Sequence, residues 1–131
     1  MTLRHYPVKR SGNLFTIRAS IGRSQAPPSI INLLVDTGAG RTSLSTTLLT
    51  DIGYPVIDTS PSIAIMTGNG IVRMPIVQIP WLSCLGQRVE NFSVLALELP
   101  IDRYFSGILG MDFLLKFKAV IDVGKGQILL P

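Results

Sequence analysis

The sequence predicts a mostly β domain, a closed or partly closed barrel with one or two short helices. Three observations predict it. Apolar and polar residues alternate with period two near the N-terminus, Gly and Pro punctuate nearly every segment boundary, and Gly68-Asn69-Gly70 separates two apolar runs as a hairpin tip does. At 131 residues the chain reads as a single domain, residues 1–131, able to bury a modest core.

From Asn13 to Ile21, Phe15, Ile17, Ala19 and Ile21 alternate with Thr16, Arg18 and Ser20, the pattern of a half-buried strand. Ser24 to Ser29, with Pro27-Pro28, reads as a loop. Ile30 to Val35 is apolar but for Asn32 and too short for a helix; it suits a strand buried on both faces. Leu44 to Ile52 predicts a short helix stopped at Gly53. Ile63–Thr67 and Ile71–Ile79 form the arms of the hairpin, and Pro75 and Pro80, lacking an N–H, place the second arm at an edge or beside a bulge. Val89 to Leu97 is a further strand. Met111 to Lys118 predicts a two-turn helix with Asp112 in its first turn, where the helix dipole favours negative charge. Ala119–Val123 and Gln127–Leu130 close the chain as a hairpin around Gly124-Lys125-Gly126.

Composition narrows the function classes. Apolar residues make up 47% and charged residues only 15%, a surplus that points to a subunit interface or an aliphatic cleft. The N-terminal residues lack the apolar core of a secretory signal, and no run approaches a membrane span. The lone Cys84 cannot form an internal disulfide, so the expected setting is cytoplasmic, without a membrane partner. The net charge of +4 comes from scattered Lys and Arg with no interleaved aromatic stripe, so no nucleic-acid partner is expected.

The catalytic inventory is thin. His5 is the only histidine, and it stands near the chain start; Cys84 reads as a small buried hydrophobe. Clustered metal ligands and phosphate-cradling glycine patterns are missing, so neither metal nor cofactor is expected. Carboxylate chemistry remains. Asp36 ends the apolar run Leu33-Leu34-Val35 and precedes Thr37-Gly38-Ala39-Gly40. A charge at the end of a buried strand needs hydrogen bonds, and the glycines let backbone N–H groups approach it. A simple Asx-type turn explains those residues as well as a catalytic acid does.

A second segment adds weight. Ile108-Leu109-Gly110 is another apolar pair ending in Gly, opening the helix Met111-Asp112-Phe113-Leu114; alone it reads as a buried strand entering a helix. Taken in order, LLVDTGAG, a Gly-tipped hairpin and GILGMDFL resemble the retropepsin-like aspartic peptidases. The closing GMDFLLKFKAVIDVGKGQILL is more similar to the bacterial and cellular members than to the viral ones. The resemblance covers about Phe15 to Leu130.

The resemblance implies an acid-protease-type barrel that is one lobe of a C2 homodimer hydrolysing peptides. Asp36 and its symmetry mate would be the catalytic pair. Thr37 would bond across the axis. Gly38 would let the backbone approach the substrate, with Ala39 beside it in the cleft. Ile108, Leu109 and Gly110 would support the loop from behind. Gly68, Asn69 and Gly70 would tip a flap over the peptide, with Thr67 and Ile71 beside it. One chain carries one such triplet, so activity demands two copies. The alternative is a peptide-binding or dimerisation module of the same fold without useful turnover. Viral members often place acidic residues after the triplet and an Arg after the later Gly; here Gly40, Arg41 and Met111 stand there, so both sides of that pair are missing together. Arg41 meeting Asp112 would be one replacement.

Overall fold

The computed structural model describes residues 2–100 and 104–131. Among the described residues, eleven strands and two short helices follow in order: β1 (Arg4–Pro7), β2 (Lys9–Ser11), β3 (Leu14–Arg23), β4 (Ala26–Val35), β5 (Ser43–Ser45), α1 (Thr46–Asp51), β6 (Ser62–Thr67), β7 (Gly70–Cys84), β8 (Gln87–Leu97), β9 (Gly107–Leu109), α2 (Met111–Lys116), β10 (Val120–Asp122) and β11 (Gln127–Leu130). The larger sheet runs β2-β3-β4-β9-β5-β8-β7-β6, and β7 also pairs with β3. That extra pairing, Ala19 with Cys84 and Ile21 with Leu82, closes β3-β4-β9-β5-β8-β7 into a barrel. Closure removes the open edges that a flat sheet would expose.

The alternation in β3 buries Ile17, Ala19 and Ile21 as expected. The expected loop at Ser24–Ser29 is instead a two-residue turn, and the strand β4 begins at Ala26. Its prolines are tolerated because the register slips there: Ile21 faces Ser29 but Arg23 faces Ala26, so Pro27 and Pro28 sit at a bulge. Nor is β4 buried on both faces. Ile31 and Leu33 point inward while Ile30 is 69% exposed, because only one face of a barrel strand meets the core.

The expected helix from Leu44 begins two residues later. Ser43–Ser45 first forms β5, pairing with β8 and β9. Ser45 then caps the helix, its Oγ accepting the Leu48 N–H at 3.1 Å. Gly53, at φ +95°, ends it as expected. Likewise α2 stops at Lys116 rather than Lys118, because Lys118 takes φ +53°. In the long strand β7, Pro75 lies where the chain leaves its partner β6 and Ile76 begins pairing with β8. Pro80 falls at a gap in the β8 ladder beside Asn91, which has φ +50°.

Leu33, Leu44, Leu49, Ile79, Leu82, Leu109 and Phe113 form the heart of one continuous core. Phe113 stacks against Phe117 at 4.8 Å between centroids and meets Phe92 edge-on at 6.5 Å, fastening α2 to the barrel. The chain ends pair with each other: β1 lies against β11, which lies against β10, in a separate sheet.

Cys84 is a core residue, and its burial pushes the thiol up to about 12 from 9.0. Two outcomes follow. A thiol reagent at neutral pH is expected to label Cys84 only after denaturation. The raised value also makes the neutral thiol a stabilising form, fully effective below the unfolded value near 9 and lost as pH rises toward 12. Denaturant titrations across that interval are expected to show stability falling, by on the order of 4 kcal/mol for this group, and a Cys84→Ala chain should show a shallower fall.

Candidate active site

Asp36 follows the last residue of β4, and β9 fixes its position. Leu33, Leu34 and Val35 pair in parallel with Gly107, Ile108 and Leu109, and the Asp36 N–H continues the ladder to the Leu109 carbonyl at 3.1 Å. The chain must turn here, since β9 itself runs directly into α2. It does so tightly: Ala39 N–H donates to the Asp36 carbonyl at 3.2 Å, and Gly38 N–H donates to Asp36 Oδ1 at 2.8 Å. A side chain at residue 38 would bring its Cβ to 3.1 Å from that oxygen, so glycine preserves the contact. The carboxylate is half-buried, while Thr37 and Gly38 are exposed.

The loop is then stitched to α2. Met111 N–H donates to the Ala39 carbonyl at 2.8 Å and Asp112 N–H to the Gly40 carbonyl at 3.1 Å, so the loop satisfies donors that a helix start leaves free. The Asp112 carboxylate replies by accepting from Thr42. Both its oxygens lie 3.0 Å from the Thr42 N–H, and Oδ1 also accepts the Thr42 hydroxyl at 2.7 Å and the Phe113 N–H at 2.8 Å. Thr42, fully buried, in turn accepts the Gly110 N–H at 3.1 Å. The expected pairing of Arg41 with Asp112 is therefore wrong. Arg41 is exposed and makes no ion pair among the described residues, and a buried threonine takes Asp112 instead.

Thr42 is the residue the sequence did not disclose. A Thr following Arg41 carries no pattern of its own, and the acidic residue opening α2 pointed to Arg41 as its partner instead. Ile108 and Leu109 pair with Leu34 and Val35, and Gly110 packs against the Arg41 and Thr42 backbone; Leu109 and Gly110 are buried. The hairpin residues lie elsewhere. Thr67 faces Gly70 across a Gly68-Asn69 turn, closed by Thr67 Oγ1 donating to the Gly70 carbonyl at 2.8 Å; Gly70 takes φ +103°. All five residues from Thr67 to Ile71 are exposed.

Asp36 and Thr37 open onto a groove of about 870 Å³. Its walls come from Leu34 and Val35, from Leu14 and Phe15, and from Ile121 with Val123 of the C-terminal hairpin. Arg10 and Lys125 also line it, whereas residues 67–71 do not. The site thus presents one carboxylate, held by the Gly38 N–H, beside a groove with mainly apolar walls.

A family model described as aspartyl protease matches residues 29–113, more than half of the chain and the span from β4 through the start of α2. The chain belongs to the aspartyl protease family. Among curated proteins none matches it in sequence. In structure it is similar to a retropepsin-like aspartic protease from Rickettsia conorii, at TM-score 0.68 and 22% identity, covering 99% of both chains. It is also similar to EIAV protease complexed with the inhibitor HBY-793, at TM-score 0.58 and 21% identity, over 82% of this chain and 90% of that one. The fold is retropepsin-like.

Within this aspartyl protease fold the glycine that closes the second segment has a steric reason. A Cβ on Gly110 would lie 2.5 Å from the Arg41 carbonyl carbon and 2.9 Å from the Thr42 nitrogen, both backbone atoms that cannot swing aside. Gly110→Ala is expected to lower unfolding stability by about 1–3 kcal/mol, measured by denaturant titration, through displacement of the loop that holds Asp36.

Proposed function

We propose that the protein is a homodimeric aspartic endopeptidase in which the Asp36 carboxylates of two copies activate one water molecule. The observation that carries this reading is Asp36 at the start of a loop held by Gly38, Leu109 and α2, in a chain of the aspartyl protease family. Two carboxylates brought within a few ångström cannot both ionise cheaply, so the pair keeps one proton over a broad pH range. The ionised member takes a proton from the water as it attacks the scissile carbonyl. The protonated member donates to the developing oxyanion, and a proton then passes to the leaving amine. The two apparent pKa values belong to the dyad jointly.

Thr37 is exposed beside Asp36, free to bond to its counterpart across the axis. Gly38 and Ala39 border the substrate path, and the Thr67–Ile71 hairpin tip closes over an extended peptide. Met66 and Ile71, 81% and 69% exposed, supply apolar surface for that contact. The apolar groove walls favour aliphatic or aromatic side chains flanking the cleaved bond.

Incubating the purified protein with a diverse peptide library across acidic and neutral pH tests this. Cleavage between apolar residues, bell-shaped in pH and falling on dilution faster than enzyme concentration, is the expected result. Peptide binding with no cleavage at any pH would instead establish a binding module.

A further inference from the structure

The groove beside Asp36 carries more charge than the proposed chemistry uses. Its ionisable lining residues are Asp36, Arg10 and Lys125. Arg10 comes from β2, whose hairpin with β3 also supplies Leu14 and Phe15, and Lys125 from the β10–β11 turn beside Ile121 and Val123. These two parts of the lining are tied together. The Val8 N–H, between β1 and β2, donates at 3.0 Å to the carbonyl of Gly126 in the turn that carries Lys125. Cations from opposite ends of the chain are thus brought to one groove.

Neither cation has a carboxylate of its own among the described residues, where the ion pair found joins Arg88 to Glu90. Arg10 Nε donates to the Gly12 carbonyl at 2.8 Å across the β2–β3 turn. That anchor fixes one edge of the guanidinium and leaves both terminal nitrogens without a partner among the described residues, the pair of donors that a carboxylate accepts bidentately. Asp122 stands close to Lys125 in sequence, yet its oxygens accept the Lys125 backbone N–H at 3.0 Å and the Gln127 amide at 3.2 Å, and it does not line the groove. Both cations are exposed, so the fold loses little by leaving them unpaired.

We infer that Arg10 and Lys125 form a subsite for an acidic side chain, so that the peptide taken into this groove carries an Asp or Glu within a few residues of its apolar pair. This rests on the peptidase reading above and narrows its substrate class from apolar peptides to apolar peptides with a neighbouring acid. In that reading the two Asp36 carboxylates share one proton and hold a single negative charge between two grooves, each with two cations. The net field along the groove therefore favours an anion.

Peptide binding to the full chain provides the test. Labelled peptides with one central apolar pair carry a single Glu, Gln or Lys, placed in turn at each nearby position on either side. Binding to the Asp36→Asn chain is read by fluorescence polarisation, so that turnover does not intrude. At one position or more, Glu is expected to bind about tenfold tighter than Gln, with Lys weakest, and the margin should shrink at high salt. Arg10→Gln/Lys125→Gln should erase that margin, and Arg10→Glu/Lys125→Glu should turn the preference toward Lys. Both positions are exposed, so circular dichroism should show these variants folded. No preference for Glu at any position, a preference that survives in the double Gln variant, or failure of every peptide to bind would each overturn the inference. Hydrolysis of the same peptides by the parent chain is read separately. Glu-selective binding without cleavage would sink the peptidase reading alone, whereas cleavage and binding both indifferent to Glu would sink this inference alone.

Discussion

Asp36→Asn is expected to abolish peptide hydrolysis while leaving the protein folded and dimeric. The substitution is nearly isosteric, and the asparagine Oδ1 can still accept the Gly38 N–H that holds the carboxylate at 2.8 Å. The loss is chemical: an amide neither takes a proton from water nor shares one with its neighbour. General acid and base contributions of about 10²–10⁴ each act through the same pair, and both copies change at once, so a fall on the order of 10⁴-fold or more in kcat/KM is anticipated. Peptide binding, followed by fluorescence polarisation, should change far less, because the groove walls and hairpin are untouched. Residual hydrolysis within tenfold of the parent would remove Asp36 from the reaction.

Asp112→Ala is expected to be the most damaging change to stability near the site, although Asp112 has no role in the chemistry. Its carboxylate gathers the Thr42 N–H, the Thr42 hydroxyl and the Phe113 N–H. Removing it strands donors around a residue that is fully buried, each costing about 1–3 kcal/mol, so a total of about 3–5 kcal/mol is anticipated after local relaxation. Thr42→Val should cost less, about 2–3 kcal/mol, since it orphans the Gly110 N–H and removes one of three donors to Asp112 Oδ1 but keeps the volume. Asp112→Asn should be mildest, because one oxygen remains to accept. Urea titrations of the three variants test that order. A cost for Asp112→Ala no greater than for an exposed surface change would show that the loop holds Asp36 without α2.

Much of the fold was legible because its signals are local. Alternation in β3, the glycines around the hairpin tip and the apolar runs before Asp36 and Gly110 each act within a few residues, and each produced the expected element. The misreadings came where a distant partner decided the outcome. Pro27-Pro28 is the local exception: the bulge that admits two prolines lies opposite the end of β3, only a two-residue turn away. Ser43–Ser45 became a strand only because β8 and β9 lie beside it, overriding a sequence that suits a helix. Ile30 could not be told from Ile31 by hydropathy, since the direction each faces is set by barrel closure.

The same division runs through the site. By itself the sequence determined that Asp36 is the one carboxylate followed by Thr-Gly, that a second apolar-Gly segment accompanies it, and that one chain carries a single such triplet. These are matters of residue type and order. Tertiary structure alone decided what holds the Asp36 loop in place: Thr42 and Asp112, 70 residues apart, meet because β5 and β9 are adjacent in the barrel. It also decided that β1 covers β11 and leaves β10 as the open edge. Contacts of that range depend on how the barrel closes, and barrel closure is a property of all the strands together.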